Sequence, residues 1–408
     1  MSKKIVILAK YSSSKREGFE TRTFTLARKF VQKGYKVDLF TSDSNHLASK
    51  FPNFNKIINK EEVDGISVFW IKTLKYKKTN SIRRVLSWFD FELKFFLLCR
   101  NQIPYPDLII ATSLSPFSII NGIFLKRKFK KAKLYSEIRD IWPLTLTEEG
   151  GYSKYHPFAI FLGVIEKLGY KKSDAVVGTM PNLSEHVYNI TRDKSIPVHC
   201  IPFGADISDY YIDYKLFQKD QDLSKIQKKL KGKFTIGYAG SIGLSNGLDC
   251  LIRVIKKIEN PKINFVFLGD GGLRKKYQEE LKDCSNVYFT GKVKREKVKY
   301  YLNLFDVLYF SALPSKVWDY GWSLNKMIDY MMAGKPVLAA YDGHKSMINE
   351  ANCGFFIQSN NEYQLKMMIE DLAQRETHEL SEIGKKGTKW IIDNRKWDTI
   401  AENYINLF

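Results

Sequence analysis

Cysteine is scarce in this sequence, and the few cysteines are not arranged for disulfide bonds or metal binding. Five are spread singly along the 408 residues, and no two of them form a CxxC pair: Cys99, Cys200, Cys250, Cys284 and Cys353. An odd number at scattered positions excludes a disulfide framework and a cysteine zinc site. This usage is typical of a protein in a reducing cytosol.

Long apolar runs are missing too. No stretch approaches the roughly 20 apolar residues that a membrane-spanning helix requires. The short run at the N-terminus, Ile5 to Ala9, ends at Lys10 and predicts a buried strand better than a signal peptide. Since hydrophobic residues still make up 44% of the chain, long disordered regions are not expected either.

Acidic residues are too few to balance the basic ones, which leaves a net charge of +21. Residues 1–206 contain 34 basic and 19 acidic residues, a net charge of +15, whereas residues 207–408 contain 31 and 25, a net charge of +6. A basic surface suits nucleic acid, anionic lipid or a phosphate-bearing substrate. A lysine-rich proteome would raise lysine everywhere, but it does not explain the difference between the halves.

What the sequence does contain is an alternation of strand and helix patterns that occurs twice, restarting at Lys233 after a lysine-rich stretch. Such alternation predicts mainly parallel sheets with helices on both faces, hence two doubly wound, Rossmann-like α/β domains with ligands at the carboxyl ends of the strands. We expect an N-terminal domain over 1–206, a linker over 207–232, a C-terminal domain over 233–390 and a helical segment over 391–408. That last segment either caps the second domain or crosses back to the first.

Two glycine-rich turns in the second half are candidates for phosphate binding. The strand 234–239 leads into Gly240-Ser241-Ile242-Gly243 and Asn246, and the next strand leads into Gly269-Asp270-Gly271. Glycine at a strand-to-helix turn lets backbone N–H groups approach an anion, which the dipole of the following helix also favours. One such turn is a weak signal, but two on neighbouring strands favour a nucleotide-like ligand.

The segment 323–336 predicts a helix with a charged face. Ser323 is a suitable N-cap, Gly334 ends the helix, and Lys326 and Asp329 lie three residues apart on one face. A lysine in the first turn opposes the helix dipole, and an anionic ligand at that end would relieve the conflict. The alternative is a surface lysine–aspartate pair, which contributes little stability.

A strand end in the first half concentrates three ionisable residues. Glu137, Arg139 and Asp140 close the strand, and Trp142-Pro143 follow. Strand ends in doubly wound folds face the ligand, so these residues are candidates for the reacting centre. A structural arginine–aspartate pair is the alternative.

These segments, in this order, resemble the retaining GT-B glycosyltransferases of family four, in particular the branch that assembles O-antigen and capsule repeats. Residues 137–143 are similar to that branch's ERDxWP-type signature, and residues 201–206 to its IPNGVD segment, with Phe203 in place of Asn. Residues 237–249 are similar to its donor-phosphate loop, and residues 323–336 to its SPNKLFDYMAAGKPV helix. The resemblance covers nearly the whole chain.

The resemblance implies retaining transfer of a sugar, expected to be an N-acetylated amino sugar, from a UDP-linked donor between the two domains. It implies no metal and no cofactor besides this substrate. Asp329 would accept hydrogen bonds from the ribose, while Lys326 and the Gly240–Gly243 amides would neutralise the leaving diphosphate. Catalytic candidates are Asp140, Arg139, Glu137 and Lys326. Donor-binding candidates are Gly240, Ser241, Gly243, Asn246, Gly269, Lys292, Asn325, Lys326 and Asp329.

This sequence departs from the broader family at three places. The family has two glutamates eight positions apart, which correspond here to Gly321 and Asp329. Its phosphate-loop arginine and lysine correspond to Ser241 and Asn246, so Lys326 is expected to supply the positive charge. Its histidine near the reacting centre is replaced by Arg139, so we do not assign a general base.

The expected acceptor is a lipid-diphosphate-linked glycan, reached from the cytoplasmic face of the membrane, with Gly18 and Arg22 on the acceptor side. Residues 81–98 combine aromatic and leucine residues at helical spacing. Such a helix either lies in an anionic membrane interface or packs in the core. In the first case Arg83, Arg84, Trp88 and Phe89 would contact lipid, supported by the upstream lysines Lys72, Lys75, Lys77 and Lys78.

Two other functions are also compatible with parts of the sequence. A nucleotide-sugar epimerase of GT-B fold would act on a soluble UDP-amino sugar and need no lipid acceptor. A nucleic-acid-binding protein suits the charge, but it leaves two phosphate-type turns unexplained, so we expect no nucleic acid partner.

Overall fold

The structure is a computed structural model that describes residues 2–46, 48–76, 81–213, 215, 217 and 220–408. It divides into two compact units. The first comprises the residues up to Gly204 together with Trp397–Phe408, and the second comprises Ala205–Lys396. Lys77 and Lys78, two of the lysines upstream of the proposed membrane helix, lie outside the described residues.

The first unit is built on an eight-stranded sheet. Its strands are β1 Lys4–Leu8, β2 Lys36–Ser42, β3 Ile58–Val63, β4 Ile66–Ile71, β5 Leu108–Thr112, β6 Lys133–Ile138, β7 Ala175–Gly178 and β8 Val198–Cys200. The strand order is β3-β4-β2-β1-β5-β6-β7-β8, and only β3 runs antiparallel to its neighbour. The order reverses between β1 and β5, which is where doubly wound folds bind ligands.

The helices of the first unit cover this sheet. They are α1 Arg22–Gln32, α2 Ile82–Lys94, α3 Ser118–Lys128, α4 Leu144–Glu148, α5 Pro157–Lys172, α6 Leu183–Thr191 and a C-terminal helix, Trp397–Ile405. The first of them buries Phe24, Ala27 and Phe30, and Gly34 follows it with a positive φ of 87°. The helix α2 continues into a π-helical turn, Phe95–Cys99.

The β3–β4 hairpin was missed at the level of sequence. Its turn is Asp64-Gly65, and both residues have positive φ, 52° and 76°. Asp-Gly between two strand patterns is a strong hairpin signal, because this turn type needs left-handed backbone at both positions. Asn59, Glu61 and Glu62 dilute the apolar alternation of β3, which lies at the edge of the sheet.

The second unit has a six-stranded, fully parallel sheet in the order β11-β10-β9-β12-β13-β14. Its strands are β9 Phe234–Ala239, β10 Ile263–Leu268, β11 Val287–Gly291, β12 Val307–Ser311, β13 Val337–Ala340 and β14 Gly354–Ile357. Its helices are α7 Gln221–Leu230, α8 Asp249–Ile255, α9 Arg274–Glu280, α10 Arg295–Asn303, α11 Asn325–Met332, α12 Met347–Ala351, α13 Glu362–Gln374 and α14 Thr377–Asn394. Two parallel α/β domains are therefore confirmed.

The segment 207–232 is not a separate linker, since it belongs to the second unit. It contains a 3-10 turn, Ile207–Tyr210, and the helix α7. The lysines of α7 lie toward solvent, whereas Leu223, Ile226 and Leu230 are buried. The prediction failed because a lysine-rich composition hid an amphipathic helix with apolar residues at helical spacing.

The C-terminal helix belongs to the first unit, which decides between the two expected positions of the last segment. Tyr404 is fully buried, with its ring 5.6 Å from that of Phe30 and 6.2 Å from that of Tyr135. The chain enters the second unit at Ala205 and leaves it at Lys396, and these two residues form a parallel β-bridge. The first unit is thus completed only after the second has been synthesised.

The Tyr404 side chain gives a stability prediction. Within the described part of the chain its hydroxyl has no hydrogen-bond partner. We expect Tyr404→Phe to leave the free energy of unfolding unchanged or to raise it, because it removes an unsatisfied buried group. Tyr404→Ala should cost about 3–5 kcal/mol, because it leaves a cavity. Urea unfolding of both variants measures this, and equal losses would show that the hydroxyl, not the ring, is needed.

Candidate functional site

The two glycine turns of the second unit are locked together by backbone hydrogen bonds. The amides of Gly240 and Ile242 donate to the carbonyls of Leu268 and Asp270, both at 2.9 Å. A Cβ at Gly269 would lie 1.9 Å from the carbonyl oxygen of Gly240, and φ at Gly269 is 144°. No side chain fits there, so the turn after β10 supports the turn after β9 by direct backbone contact.

These hydrogen bonds use every second amide of the first turn and leave the amides between them available. Within the described residues, the N–H groups of Ser241 and Gly243 have no acceptor. The Ser241 carbonyl accepts a 2.6 Å hydrogen bond from the Tyr238 hydroxyl, which fixes the orientation of the turn. The Gly240 amide, predicted to bind phosphate, instead donates to the Leu268 carbonyl, so the amides that remain open in this turn are those of Ser241 and Gly243.

The side chain of Lys326 reaches the same turn from the helix α11. Its Nζ lies 2.7 Å from the Asn246 Oδ1, and 5.4 Å and 5.2 Å from the ring centres of Tyr238 and Phe310. These contacts are an amide oxygen and two aromatic faces, none of which carries a formal negative charge. Burial without a carboxylate lowers the pKa of Lys326 to about 8. An anion at this position would restore the charge.

The helix α11 begins later than its sequence indicates. The N-cap is Leu324 rather than Ser323, and no side chain caps the helix. Asn325 is the first helical residue and is exposed, and Lys326 is therefore the second. The predicted serine cap is wrong, and the first turn keeps amides that a capping hydroxyl would have engaged.

Asp329, one turn further along α11, is buried and held by two residues that were not anticipated. Its carboxylate accepts hydrogen bonds at 2.5 Å and 2.6 Å from the Arg295 guanidinium and at 2.8 Å from the Tyr210 hydroxyl. Burial opposes the charge of Arg295, but its hydrogen bonds to Asp329 outweigh this and raise its pKa. Burial and the nearby carboxylate also raise the pKa of Tyr210. Asp329 is thus a preorganised acceptor.

Neither partner of Asp329 carried a clear sequence signal. Tyr210 lies in the segment interpreted as a linker, and Arg295 begins α10 in a lysine-rich stretch. Their roles follow only from the folding of both segments onto α11.

Lys292 points elsewhere. It is exposed and lines a groove of about 580 Å³ beside the edge strand β11, together with Lys225, Lys229, Lys282 and Tyr288. None of the other predicted donor residues lines this groove. The side chain of Lys292 therefore lies apart from the groups around Lys326.

In the first unit, Arg22 and Glu137 form a fully buried ion pair with a separation of 3.0 Å. The Arg22 guanidinium also donates to the carbonyls of Ile201 and Pro202, at 2.7 Å and 3.2 Å. The expectation that Arg22 meets the acceptor and Glu137 the reacting sugar is therefore corrected. Both side chains are enclosed, and they join α1, β6 and the segment after β8.

Gly18 also has a structural position. It ends a 3-10 turn, Lys15–Glu17, with a φ of 93°, and a Cβ there would lie 2.1 Å from the Ser49 Oγ. The glycine allows this loop to approach Ser49, which accounts for it without an acceptor.

Arg139 and Asp140 lie half-buried at the carboxyl end of β6. Burial lowers the pKa of Arg139 to about 10 against the opposing attraction of Glu137, and burial raises the pKa of Asp140. The Arg139 guanidinium lies 4.8 Å from the ring centre of Phe203, the residue that replaces Asn in the 201–206 segment. Ser113 accepts from both backbone amides, at 2.9 Å and 3.3 Å, which connects this turn to the end of β5.

A further cluster at the end of β1 was not predicted. The Tyr11 hydroxyl accepts hydrogen bonds from Trp88 Nε1 at 2.7 Å and from Arg84 Nε at 3.3 Å. Lys10 is fully buried, and burial lowers its pKa to about 7 although Glu92 and Asp43 oppose this. A lysine directly after a buried strand was the available signal. Because β1 borders the point where the strand order reverses, these groups lie at the edge of the sheet where doubly wound folds bind ligands.

The same contacts correct part of the membrane prediction. Trp88 is only 3% exposed and packs in a cluster with Tyr11 and Phe117, so it cannot contact lipid. Arg84 is on the same inner side, 5.4 Å from the Trp88 ring. Arg83 and Phe89 are exposed, as expected.

The described residues contain neither a membrane-spanning helix nor a metal-binding cluster. No helix among them has the length and apolarity to cross a bilayer. In the same part of the chain, no three side chains among His, Cys, Asp and Glu are grouped to hold a metal ion.

Two Rossmann-like units with a phosphate-type turn in the second are the architecture of GT-B proteins. Residues 219–403 match the family described as Glycosyl transferases group 1, so the chain carries a group 1 glycosyltransferase domain. Over 149 residues the chain is 25% identical to a Pseudomonas aeruginosa protein, Probable glycosyltransferase WbjE, a match that covers 35% of this chain and 37% of that protein. The chain thus matches little more than a third of this curated relative's length.

Solved structures show the same fold over the whole chain. Sucrose-phosphate synthase from Thermosynechococcus elongatus has a TM-score of 0.69 at 16% identity, with 99% of this chain and 98% of that chain covered. Anabaena HepE in complex with UDP and glucose has 0.65 at 14%, covering 99% and 98%. The catalytic domain of starch synthase IV from Arabidopsis thaliana, bound to ADP and acarbose, has 0.67 at 13%, covering 100% and 98%.

The Arg22–Glu137 pair leads to a second stability prediction. We expect Arg22→Met or Glu137→Met alone to lower the free energy of unfolding by about 3–5 kcal/mol, because each leaves a buried charge unpaired. The double variant should regain part of this loss, because no charge is then left alone. A double-mutant cycle by urea unfolding tests this, and strictly additive losses would contradict it.

Proposed function

We propose that this protein is a retaining, metal-independent glycosyltransferase. It transfers a sugar, an N-acetylated amino sugar, from a UDP-linked donor to a lipid-linked glycan in bacterial surface polysaccharide assembly. The observation that carries the proposal is the set of groups around Lys326. A half-buried cation among neutral contacts, two open amides and a preorganised carboxylate lie in one unit of a group 1 glycosyltransferase domain.

The diphosphate of the donor would bind between Lys326 and the amides of Ser241 and Gly243. Asn246 occupies the place of a loop lysine in the broader family, and its amide oxygen holds the Lys326 ammonium at 2.7 Å. The positive charge is therefore supplied by α11 instead of by the loop. Negative charge develops on the diphosphate as the glycosidic bond breaks, and groups fixed in advance stabilise it without reorganisation.

The ribose would bind at Asp329. Its carboxylate is already aligned by Arg295 and Tyr210. The conformational entropy of the Asp329 side chain is therefore lost when the protein folds, and binding of the ribose does not have to bear that cost. Arg295 is partly exposed, so it is able to move as a sugar hydroxyl takes over one of its hydrogen bonds. The group that displaces a hydrogen bond to Asp329 must itself be a donor, as a ribose hydroxyl is.

Uridine is the proposed base because HepE was solved with UDP and with UDP-glucose. Starch synthase IV, with the same fold, was solved with ADP, so the base must be tested directly. In the first unit, Arg139 and Asp140 are the half-buried charged groups proposed to meet the reacting sugar. Arg139 would stabilise negative charge, whereas the raised pKa of Asp140 suits a hydrogen-bonding role.

The proposed acceptor is lipid-linked, and the protein would act as a peripheral protein on the cytoplasmic face of the membrane. The first half of the chain carries a net charge of +15, which attracts anionic lipid. The cluster at the end of β1 combines Arg84 with the aromatic rings of Tyr11 and Trp88. Such a combination suits a sugar ring beside a phosphate, because aromatic faces pack on sugars and arginine pairs with phosphate.

Thermal stabilisation by a panel of nucleoside diphosphates tests the donor site. A ligand at about 100 times its Kd stabilises the folded state by about 2.7 kcal/mol. We expect UDP to stabilise the protein most, and Asp329→Ala and Lys326→Ala to lose this effect. Lys366→Ala and Asp371→Ala, a half-buried and an exposed position on α13, are controls that should retain it. No stabilisation by any nucleoside diphosphate would overturn the donor site, whereas conversion of free UDP-sugar without acceptor would indicate an epimerase.

The lowered pKa of Lys326 gives a pH prediction. The diphosphate binds the protonated amine, so its Kd should rise as pH increases through the free-state pKa of about 8. Well above that pKa, the loss of this one proton should raise the Kd by at most about tenfold per pH unit. Calorimetry from about pH 7 to about pH 9 measures the effect. Lys326→Arg, which stays charged, should bind with no such dependence, and an equal dependence in both proteins would assign it to another group.

A further inference from the structure

The first unit exposes a stripe of apolar side chains along α2 and its π-helical extension. Ile82, Leu86, Phe89, Leu93 and Leu97 follow one another at intervals of three or four residues, and all are exposed, Ile82 to 80%. An amphipathic helix in a water-soluble domain normally turns such a stripe toward the core. Here the buried side of α2 is formed by other residues, so the helix is apolar on its solvent side as well.

The helix α5, which no sequence pattern had indicated, repeats this arrangement. Ile160, Phe161, Val164 and Leu168 are exposed, Val164 to 60%, while a different set of side chains packs inward. Scattered apolar residues on a surface need no explanation, but two helices with continuous apolar solvent stripes do.

Aromatic contacts join the two stripes into one surface. Phe117, at the start of α3, stacks on Phe89 with ring centres 4.3 Å apart and lies 5.9 Å from the ring of Phe161. Further along, the exposed Phe124 of α3 packs against Phe96 at 5.1 Å. We call the exposed apolar residues of α2, α3 and α5 the three-helix face.

The exposed charges on the helices α2, α3 and α5 themselves have one sign, while the exposed acidic residues Glu148, Glu149 and Asp174 lie outside these helices. Residues 82–172 are all described, and no acidic side chain of the three helices is exposed: Asp90 is half-buried beside Lys94, and Glu92 and Glu166 are buried. The exposed charged residues on the helices are all basic: Arg83, Arg127, Lys128, Lys167, Lys171 and Lys172.

We propose that the three-helix face docks on an anionic membrane surface, with its apolar side chains in the interfacial layer and its basic rim against lipid headgroups. This deepens the proposed function, because it assigns the membrane contact to particular helices, including α5. A second copy of the chain is a poorer occupant, since symmetric pairing of the face would bring two basic rims together. The inner side of α2 carries Arg84 and Trp88, so docking would place the cluster at the end of β1 beside the bilayer.

Vesicle co-sedimentation of the purified full chain tests this proposal without substrate. We expect binding to vesicles of phosphatidylcholine with phosphatidylglycerol, and weaker binding to phosphatidylcholine alone. Leu93→Asp on α2 and Val164→Asp on α5 should each lower the partition coefficient by about tenfold or more, because a charge enters the apolar contact. Lys171→Glu with Lys172→Glu should weaken binding only to the anionic vesicles. Met367→Asp, a comparably exposed position on α13, should have no effect.

The outcomes separate the possible occupants of the face. Failure of the wild-type protein to bind anionic vesicles overturns the proposal, and so does equal binding by the Val164→Asp and Met367→Asp variants. A wild-type dimer that Val164→Asp converts to a monomer, without vesicle binding, would assign the face to a second copy and also overturn it. Stabilisation by UDP, measured on the same variants, should be unchanged, which distinguishes a failed membrane contact from a failed donor site.

Discussion

The half-buried ammonium group of Lys326 is the feature around which the second unit's site is organised. Taking a cation from water costs free energy unless a counter-charge is supplied, and its described contacts are an amide oxygen and two aromatic rings. The lowered pKa of Lys326 follows from this burial. A site that stores such a deficit binds an anion more strongly than a surface lysine does, because the anion removes an existing penalty. The glycine turns, locked by backbone contact between Gly240 and Gly269, hold open amides beside it.

In the first unit, by contrast, the buried charges of Arg22 and Glu137 have counter-charges. Arg22 and Glu137 satisfy each other completely, and they bind together segments that are far apart in the chain. Such a pair is a structural device, since neither charge is available to a ligand. Arg139 and Asp140 follow within three residues of Glu137 but remain half-buried. The segment 137–140 therefore contains one structural residue, Glu137, and two candidate reactive residues, Arg139 and Asp140. They differ in burial, since only Glu137 is fully enclosed.

The three-helix face belongs to the same unit and imposes a cost of its own. Exposed apolar stripes on α2 and α5 reduce the hydrophobic stabilisation that those side chains would provide in the core. The inner sides of both helices are apolar enough to pack against the sheet without them. The contact with an anionic membrane surface that we propose would offset this cost.

Sequence alone determined the architecture of both units, because strand and helix periodicities are local and appeared in the right order. It also identified the glycine turns and the helix with Lys326 and Asp329, since glycine positions and helical spacing are local, although it misplaced the start of that helix. It did not reveal the β3–β4 hairpin, whose strand alternation is diluted by polar residues, or α7, whose lysines resembled a linker. Tertiary structure alone decided that Trp88 is enclosed, that Arg22 pairs with Glu137 and that Arg295 and Tyr210 hold Asp329. Each of these depends on which residue of a distant segment lies within a few ångströms, and no pattern along the chain records such a distance.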